Sequence, residues 1–314
     1  MKIPVVCVHN GKHRYLYYVI RQAKLYCEDV ILLGENVSTS CKKIAKYYSS
    51  QQFSESNMLK QFAALYQHLS TNNLEFEKAC FSRWFQILEF MRQNKMESII
   101  HIDSDNLIYK NMMSVIERKI PLYDAGYNIA AQNYDDMIWA ASPHISFWKY
   151  DKLQDFCLFI LDQYKNGMDE LIKKWDLVKA GNLQGGISDM TLLYLFYLKN
   201  HDAIANLLLP VDKRYYIDQN INIAQNYFED EFRIREIKNG ISLKDVRMTK
   251  ELPLCFNERE KKEIEFVSLH FQGFAKNFIY LFVNWKPGYP EIIWNKIHLK
   301  VNLYKRRIKR FIHN

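Results

Sequence analysis

No stretch of this sequence is long and apolar enough to cross a bilayer. Its longest apolar runs, Leu192 to Leu198 and Phe278 to Val283, fall far short of the ~18 to 20 residues a spanning helix needs. Glycine and proline are scarce, 10 and 7 residues in 314, and nowhere gather into a linker or a repeat; collagen-like and low-complexity classes are thereby excluded. The six cysteines (Cys7, Cys27, Cys41, Cys80, Cys157, Cys255) include no CxxC pair and no ladder of short spacings. They suit a reducing compartment, where a free thiol behaves as a small buried hydrophobe. A signal peptide is not expected either, because His9 and Asn10 interrupt the short apolar run Ile3 to Val8. The start reads as a buried strand of a cytoplasmic protein.

What is present is a globular composition, 48% hydrophobic and 25% charged, which argues against intrinsic disorder. At ~150 residues per domain the length permits one large domain or two ordinary ones. Net charge is +8, and seven Lys and Arg with no acid fall between Lys296 and Asn314, leaving +1 for everything before them. A nearly neutral body argues against a nucleic-acid binder, whose basic residues would form a patch on the fold. The basic tail points instead to a local contact with an anionic membrane surface.

Periodicity gives a strand at Ile3 to Val8, a helix at Tyr15 to Leu25 and a strand at Val30 to Leu33, a βαβ opening that implies a parallel sheet. Helical periods follow over Ser54 to Leu69 and Glu75 to Gln93. Short strands are expected at Ser98 to Ile102, Gly126 to Ala131 and His144 to Trp148, then a helix from Asp151, as its cap, to Tyr164. Gly181 to Gly186 is a loop opening onto a helix from Ser188 or Asp189 to Leu198. Val211 to Asn257 shows few clean periods, Glu265 to Phe271 reads as a strand, and Glu291 to Ile312 as a basic amphipathic helix.

The chemistry concentrates at Ile99-Ile100-His101-Ile102-Asp103-Ser104-Asp105. A buried strand there releases two carboxylates at its carboxyl end, the side of an α/β sheet that faces ligand. Two hard oxygen donors suit Mn²⁺ or Mg²⁺, which bridge nucleotide phosphates; the plain alternative is a capped turn. With these residues, four segments in chain order resemble the nucleotide-sugar-dependent glycosyltransferases of the GT-A fold, in their bacterial polysaccharide and lipopolysaccharide branch. They are Phe81-Ser82-Arg83-Trp84-Phe85 ahead of the Asp-x-Asp strand, His144-Ile145-Ser146-Phe147-Trp148, Gly185-Gly186-Ile187-Ser188-Asp189-Met190, and Leu269-His270-Phe271-Gln272-Gly273-Phe274-Ala275-Lys276.

The resemblance implies a Rossmann-like, mostly parallel central sheet flanked by helices over residues 1–285. Its nucleotide-sugar half would be about 1–110 and its acceptor half about 111–285, with 286–314 as the basic helix. It implies a metal shell of Asp103, Asp105 and His270, donor contacts from His9, Asn10, Arg83, Ser104, Gly273 and Lys276, and acceptor or sugar contacts from Gly185 and Gly186. As aromatic residues, Trp139, Phe147 and Trp148 are candidates for stacking on sugar rings, the alternative being core. Asp189 would stand at the reaction centre, the alternative being a helix cap. Only Asp189 stands where the best-known branches carry two acids, and no Pro-Trp follows Lys276; inversion or retention therefore stays open. The implied activity is transfer of sugar from a nucleoside-diphosphate sugar, UDP by resemblance, to a glycan or lipid-linked glycan on the inner face of the membrane. A sugar-nucleotide pyrophosphorylase fits less well, because Val8 to Arg14 holds a single glycine. A non-enzymatic membrane or anionic-polymer binder would explain the tail but not the acidic cluster.

Overall fold

The computed structural model describes residues 3–117, 121–132, 134–210, 215–238 and 241–285, with 295, 297 and 299–302 beyond them. Apolar runs form the first strands, β1 (Val5–Val8) and β2 (Val30–Leu33), with α1 (Arg14–Tyr26) crossing between them. There follow α2 (Thr39–Ile44), β3 (Lys46–Tyr48), α3 (Asn57–Leu65), α4 (Leu74–Gln93), β4 (Ser98–Ile102), β5 (Asn106–Ile108), α5 (Met112–Ile116), β6 (Ala125–Ile129) and β7 (Ala141–Lys149). Three helices, α6 (Tyr150–Asn166), α7 (Met168–Ala180) and α8 (Asp189–Asn200), lead to β8 (Ile204–Asn206). The chain closes through β9 (Tyr215–Ile217), β10 (Ile234–Lys238), β11 (Ile241–Lys244), β12 (Arg247–Met248), β13 (Pro253–Asn257) and β14 (Lys262–His270), then 3₁₀ turns over Gly273–Leu281.

The central sheet runs β3-β2-β1-β4-β7-β6-β8. It is parallel except where β7 pairs antiparallel with β4 and β6, so the mostly parallel α/β architecture expected from the sequence is present. Side-chain alternation divides the interior into two cores. Val5, Cys7, Val30, Leu32, Ile100 and Ile102 face one core, while Val6, Ile31, Leu33 and Ile99 face the other. Trp84 of α4 packs at 5.5 Å from Trp148 of β7 in the second core. A five-stranded second sheet runs β12-β13-β14-β5 with β9 beside β14. The nine-residue β14 lies where the sequence predicts a strand, while β9, β12 and β13 fall in the region of little period and, at two to five residues, are too short for an alternation to stand out.

Several boundaries move for local reasons. The helix expected over Ser54 to Leu69 is shorter, Asn57–Leu65: 3₁₀ turns at Ser50–Phe53 precede it, and α3 begins only after Ser56, whose hydroxyl accepts from the Leu59 N–H at 3.3 Å. Asp151 does not cap α6: Lys149 occupies that position and Asp151 lies inside the first turn. No helix among the described residues is long and apolar enough to cross a membrane.

Most of the basic tail, including Lys296 and Lys305 to Arg310, lies outside the described residues. Its first part packs on the body: the Asn295 amide donates to the Tyr18 hydroxyl at 2.6 Å, and Leu299 joins the first core while Ile297 and Val301 remain exposed. Leu299→Ala is therefore expected to lower stability by about 2 kcal/mol, read from the urea midpoint. An unchanged midpoint would mean that this turn does not pack against α1.

Candidate active site

The carboxylates Asp103 and Asp105 leave the sheet where β4 ends, and the Asn106 N–H closes the turn on the Asp103 carbonyl at 3.1 Å. The chain then enters β5, which pairs antiparallel with the end of β14 so that His270 stands opposite Asn106. One possible ligand atom from each of Asp103, Asp105 and His270 lies within 4.8 Å of the others. Opposed ligands of a small divalent ion stand about 4 Å apart, so modest side-chain adjustment fits these donors to Mg²⁺ or Mn²⁺. His270 Nδ1 is 2.7 Å from the Gln219 carbonyl; a carbonyl only accepts, so Nδ1 carries hydrogen. Nε2 faces Asp105 Oδ1 at 3.5 Å. The ring stacks on the buried His144 at 4.1 Å between centroids.

Lys276 completes this half of the cluster, its Nζ 2.9 Å from Asp105 Oδ2. Burial works against the Asp105 carboxylate, but His270 and Lys276 hold its pKa well below the ordinary range. The same contact raises the His270 pKa although burial opposes the charged ring. For Asp103 burial again opposes ionisation and the Arg83 guanidinium overrides it.

Arg83 projects from α4 and bridges two carboxylates, NH1 to Asp103 Oδ1 and NH2 to Asp189 Oδ2, each at 2.6 Å. The planar fork makes this possible; a lysine ammonium offers no such geometry. The Trp84 indole N–H donates to the same Asp189 oxygen at 2.9 Å. Asp189 is thus turned into the cluster and is 2% exposed. It is not acting as a cap: at the start of α8 the Ser188 N–H donates to the Thr191 hydroxyl at 3.3 Å.

The remaining candidates divide. His9, at the end of β1, pairs with His13 at 2.9 Å, and burial with the neighbouring charges of His13 and Lys276 lowers its pKa to about 4. Asn10 ties the ends of β1 and β2 together by accepting from the Glu35 N–H at 2.8 Å. Ser104 lies beside Tyr15, whose ring is 5.1 Å from Lys276 Nζ. Gly273 takes φ +55° with open space about it. Trp139 is 1% exposed, stacked on Tyr134 at 5.0 Å and donating to its carbonyl at 2.7 Å; in this conformation it is core and presents no face to a sugar. Gly186 meets protein rather than ligand, since a Cβ there would stand 2.2 Å from the Leu69 carbonyl oxygen. Gly185, at φ +99°, meets open space.

Three neighbours escaped the sequence reading. His101 is buried with Nδ1 on the Pro143 carbonyl at 3.0 Å and Nε2 3.7 Å from Asp103, and burial lowers its pKa to about 4. Its position two residues before Asp103, on the same side of a strand, was the available signal. Asp218 and Lys244 form a fully buried ion pair behind His270; no local pattern marks either.

No protein-family model matches the sequence, and no curated protein matches it. Among solved structures the chain is similar to mouse xyloside xylosyltransferase 1 in its apo form, 10% identical over 66% of this chain and 85% of that one, with a TM-score of 0.45. It is also similar to the galactosyltransferase LgtC in complex with donor and acceptor sugar analogues, 10% identical over 68% and 76% with a TM-score of 0.40. A third is the apo bifunctional glycosyltransferase WbbM, 11% identical over 70% and 40% with a TM-score of 0.42.

The two adjacent glycines are expected to respond differently. Gly186→Ala should cost about 2 kcal/mol or more, because positive φ and a backbone clash add, whereas Gly185→Ala should cost about 1 kcal/mol from its φ alone. Urea denaturation of both variants checks this; equal losses would count against the close approach of Leu69.

Proposed function

We propose that the chain is a glycosyltransferase that uses a nucleoside-diphosphate sugar, with a divalent cation held by Asp103, Asp105 and His270. The observation that carries this reading is the convergence of those three donors beside Lys276 and, through Arg83, beside Asp189. In the transfer, the bond from the anomeric carbon to the diphosphate breaks and one to an acceptor hydroxyl forms. The sugar gains positive character and the diphosphate leaves as a polyanion. A bound Mn²⁺ or Mg²⁺ supplies electrostatic stabilisation of that leaving group.

The chain's own residues share the task. Lys276 adds a second positive charge on the leaving-group side. Arg83 locks Asp103 and Asp189 into one rigid unit, which fixes the distance between cation site and reaction centre. Asp189 then stands either to accept the acceptor proton in an inverting transfer, or beside the anomeric carbon in a retaining one, where the leaving diphosphate takes that proton. UDP as the base, a glycan or lipid-linked glycan as acceptor, a role in surface polysaccharide synthesis and docking of the basic tail on an anionic inner leaflet follow from the sequence resemblance and the tail's charge. The direct test is release of UDP from UDP-sugars with Mn²⁺ and with EDTA; full activity in EDTA defeats the cation role.

Two further outcomes are expected. Two neighbouring carboxylates suggest repulsion that Asp105→Asn would relieve, but Asp105 is matched by Lys276 and His270. Its depressed pKa means that its contribution is present above the ordinary carboxylate range and lost as pH falls below it. At neutral pH Asp105→Asn should thus lower stability by about 2 kcal/mol while abolishing Mn²⁺-dependent UDP binding; thermal melts and calorimetry read both. Because a cation needs a neutral His270 and Asp105 holds that imidazole's pKa above its usual value, Mn²⁺ affinity should rise with pH as the ring loses its proton. A pH-independent affinity would remove His270 from the ligand set.

A further inference from the structure

His270 is held at three of its own atoms by one short segment. Its backbone N–H donates to Asp218 Oδ2 at 3.0 Å, its Nδ1 to the Gln219 carbonyl at 2.7 Å, and its carbonyl accepts from the Ile221 N–H at 2.9 Å. That segment is itself anchored. Lys244 Nζ lies 2.5 Å from Asp218 Oδ1 and donates to the Gln225 carbonyl at 3.0 Å, while its backbone N–H donates to the Ile221 carbonyl at 2.7 Å. Asn226 ties both shoulders, accepting from the Gln219 N–H at 2.8 Å and donating to the Ile217 carbonyl at 3.1 Å.

Both members of the ion pair have fully buried side chains. Withdrawing two charges from water costs several kcal/mol per ion, and apolar residues of similar volume often serve stability as well. Apolar side chains could not, however, accept the His270 N–H or hold the loop carbonyls in register. A metal-binding imidazole needs such outer partners to fix its tautomer and direction.

We infer that the segment from Ile217 to Asn226, clamped by the buried Lys244–Asp218 pair, sets the position and tautomer of His270, so that Asp218, Lys244 and Asn226 are positioning residues of the cation site. This rests on the cation reading above. The test is Mn²⁺ titration of the full chain by electron paramagnetic resonance with UDP present, beside ¹⁵N spectra of the His270 ring at about pH 9, above the ordinary imidazole range. In D218L/K244M the charges and the acceptor for His270 are gone; the Mn²⁺ dissociation constant should rise about 10- to 100-fold and the ring should lose its single Nδ1–H form. D218N/K244M keeps an acceptor for the His270 N–H but loses the charged clamp, and its affinity should fall between that of D218L/K244M and that of the wild type. Wild-type affinity and tautomer in D218L/K244M overturn the inference. Should that chain fail to fold, N226A decides, with several-fold weaker Mn²⁺ binding expected and unchanged binding overturning the inference. A wild-type chain that binds no Mn²⁺ fails earlier, at the cation reading, and takes this inference with it.

Discussion

The candidate site depends on the register between β5 and β14. Three pairs define it, Ile108 with Ser268, Leu107 with Leu269 and Asn106 with His270. Because strand side chains alternate, a slip of one residue would present Leu269 to Asp105 and turn His270 away. Packing prevents the slip: Leu107, Ile108 and Leu269 are buried in the first core, and the Phe271 N–H donates to the Asp105 carbonyl at 2.9 Å. The same pairing thus joins the two sheets and closes the acidic turn against the histidine. Disturbing the core here would disturb the cluster.

Around that register the charges are nearly balanced. Asp103, Asp105 and Asp189 face Arg83, Lys276 and His270, and the side chains of Asp105, Asp189 and His270 are all less than a tenth exposed. In so dry a setting an unmatched carboxylate would take up a proton rather than stay charged. The His270 imidazole and Lys276 hold the Asp105 pKa down against burial, and Arg83 does the same for Asp103. The arrangement is therefore interdependent: Arg83 spans the gap between α4 and α8, so moving it would leave Asp103 and Asp189 unmatched together.

How much of this could be read from the sequence follows from how local each determinant is. The apolar runs of β1, β2 and β4, the period of α4 and the His270 to Lys276 spacing are local, and each was legible. Asp103 and Asp105 drew attention because a buried strand ends in two acids. Lys244 could not be found in the same way: it is 26 residues from Asp218, at the end of the four-residue β11, while Asp218 follows the three-residue β9, and neither strand has much alternation to display. Trp139 and Gly186 show the converse. Their residue types suggest sugar contacts, but the ring is claimed by Tyr134 and the glycine by the Leu69 carbonyl, neither of which a single sequence places nearby. For Asp189 the choice between cap and cluster turned on a long-range partner, Arg83, that local pattern cannot supply.

The spacing from His270 to Lys276 has a physical reason of its own. Both residues contact Asp105, yet six further residues of extended strand would carry the chain about 20 Å away. The chain must instead reverse at once. Gly273 takes φ +55° where the 3₁₀ turns begin, and the Ala275 N–H donates to the Gln272 carbonyl at 3.1 Å. Those tight turns gain only about 2 Å per residue and change direction as they do so, bringing Lys276 back over Tyr15 and onto Asp105 Oδ2. Since open space surrounds Gly273, its demand is on backbone conformation rather than on room for a side chain. The glycine thereby converts a strand that brings His270 to Asp105 into a hook that brings Lys276 to the same carboxylate.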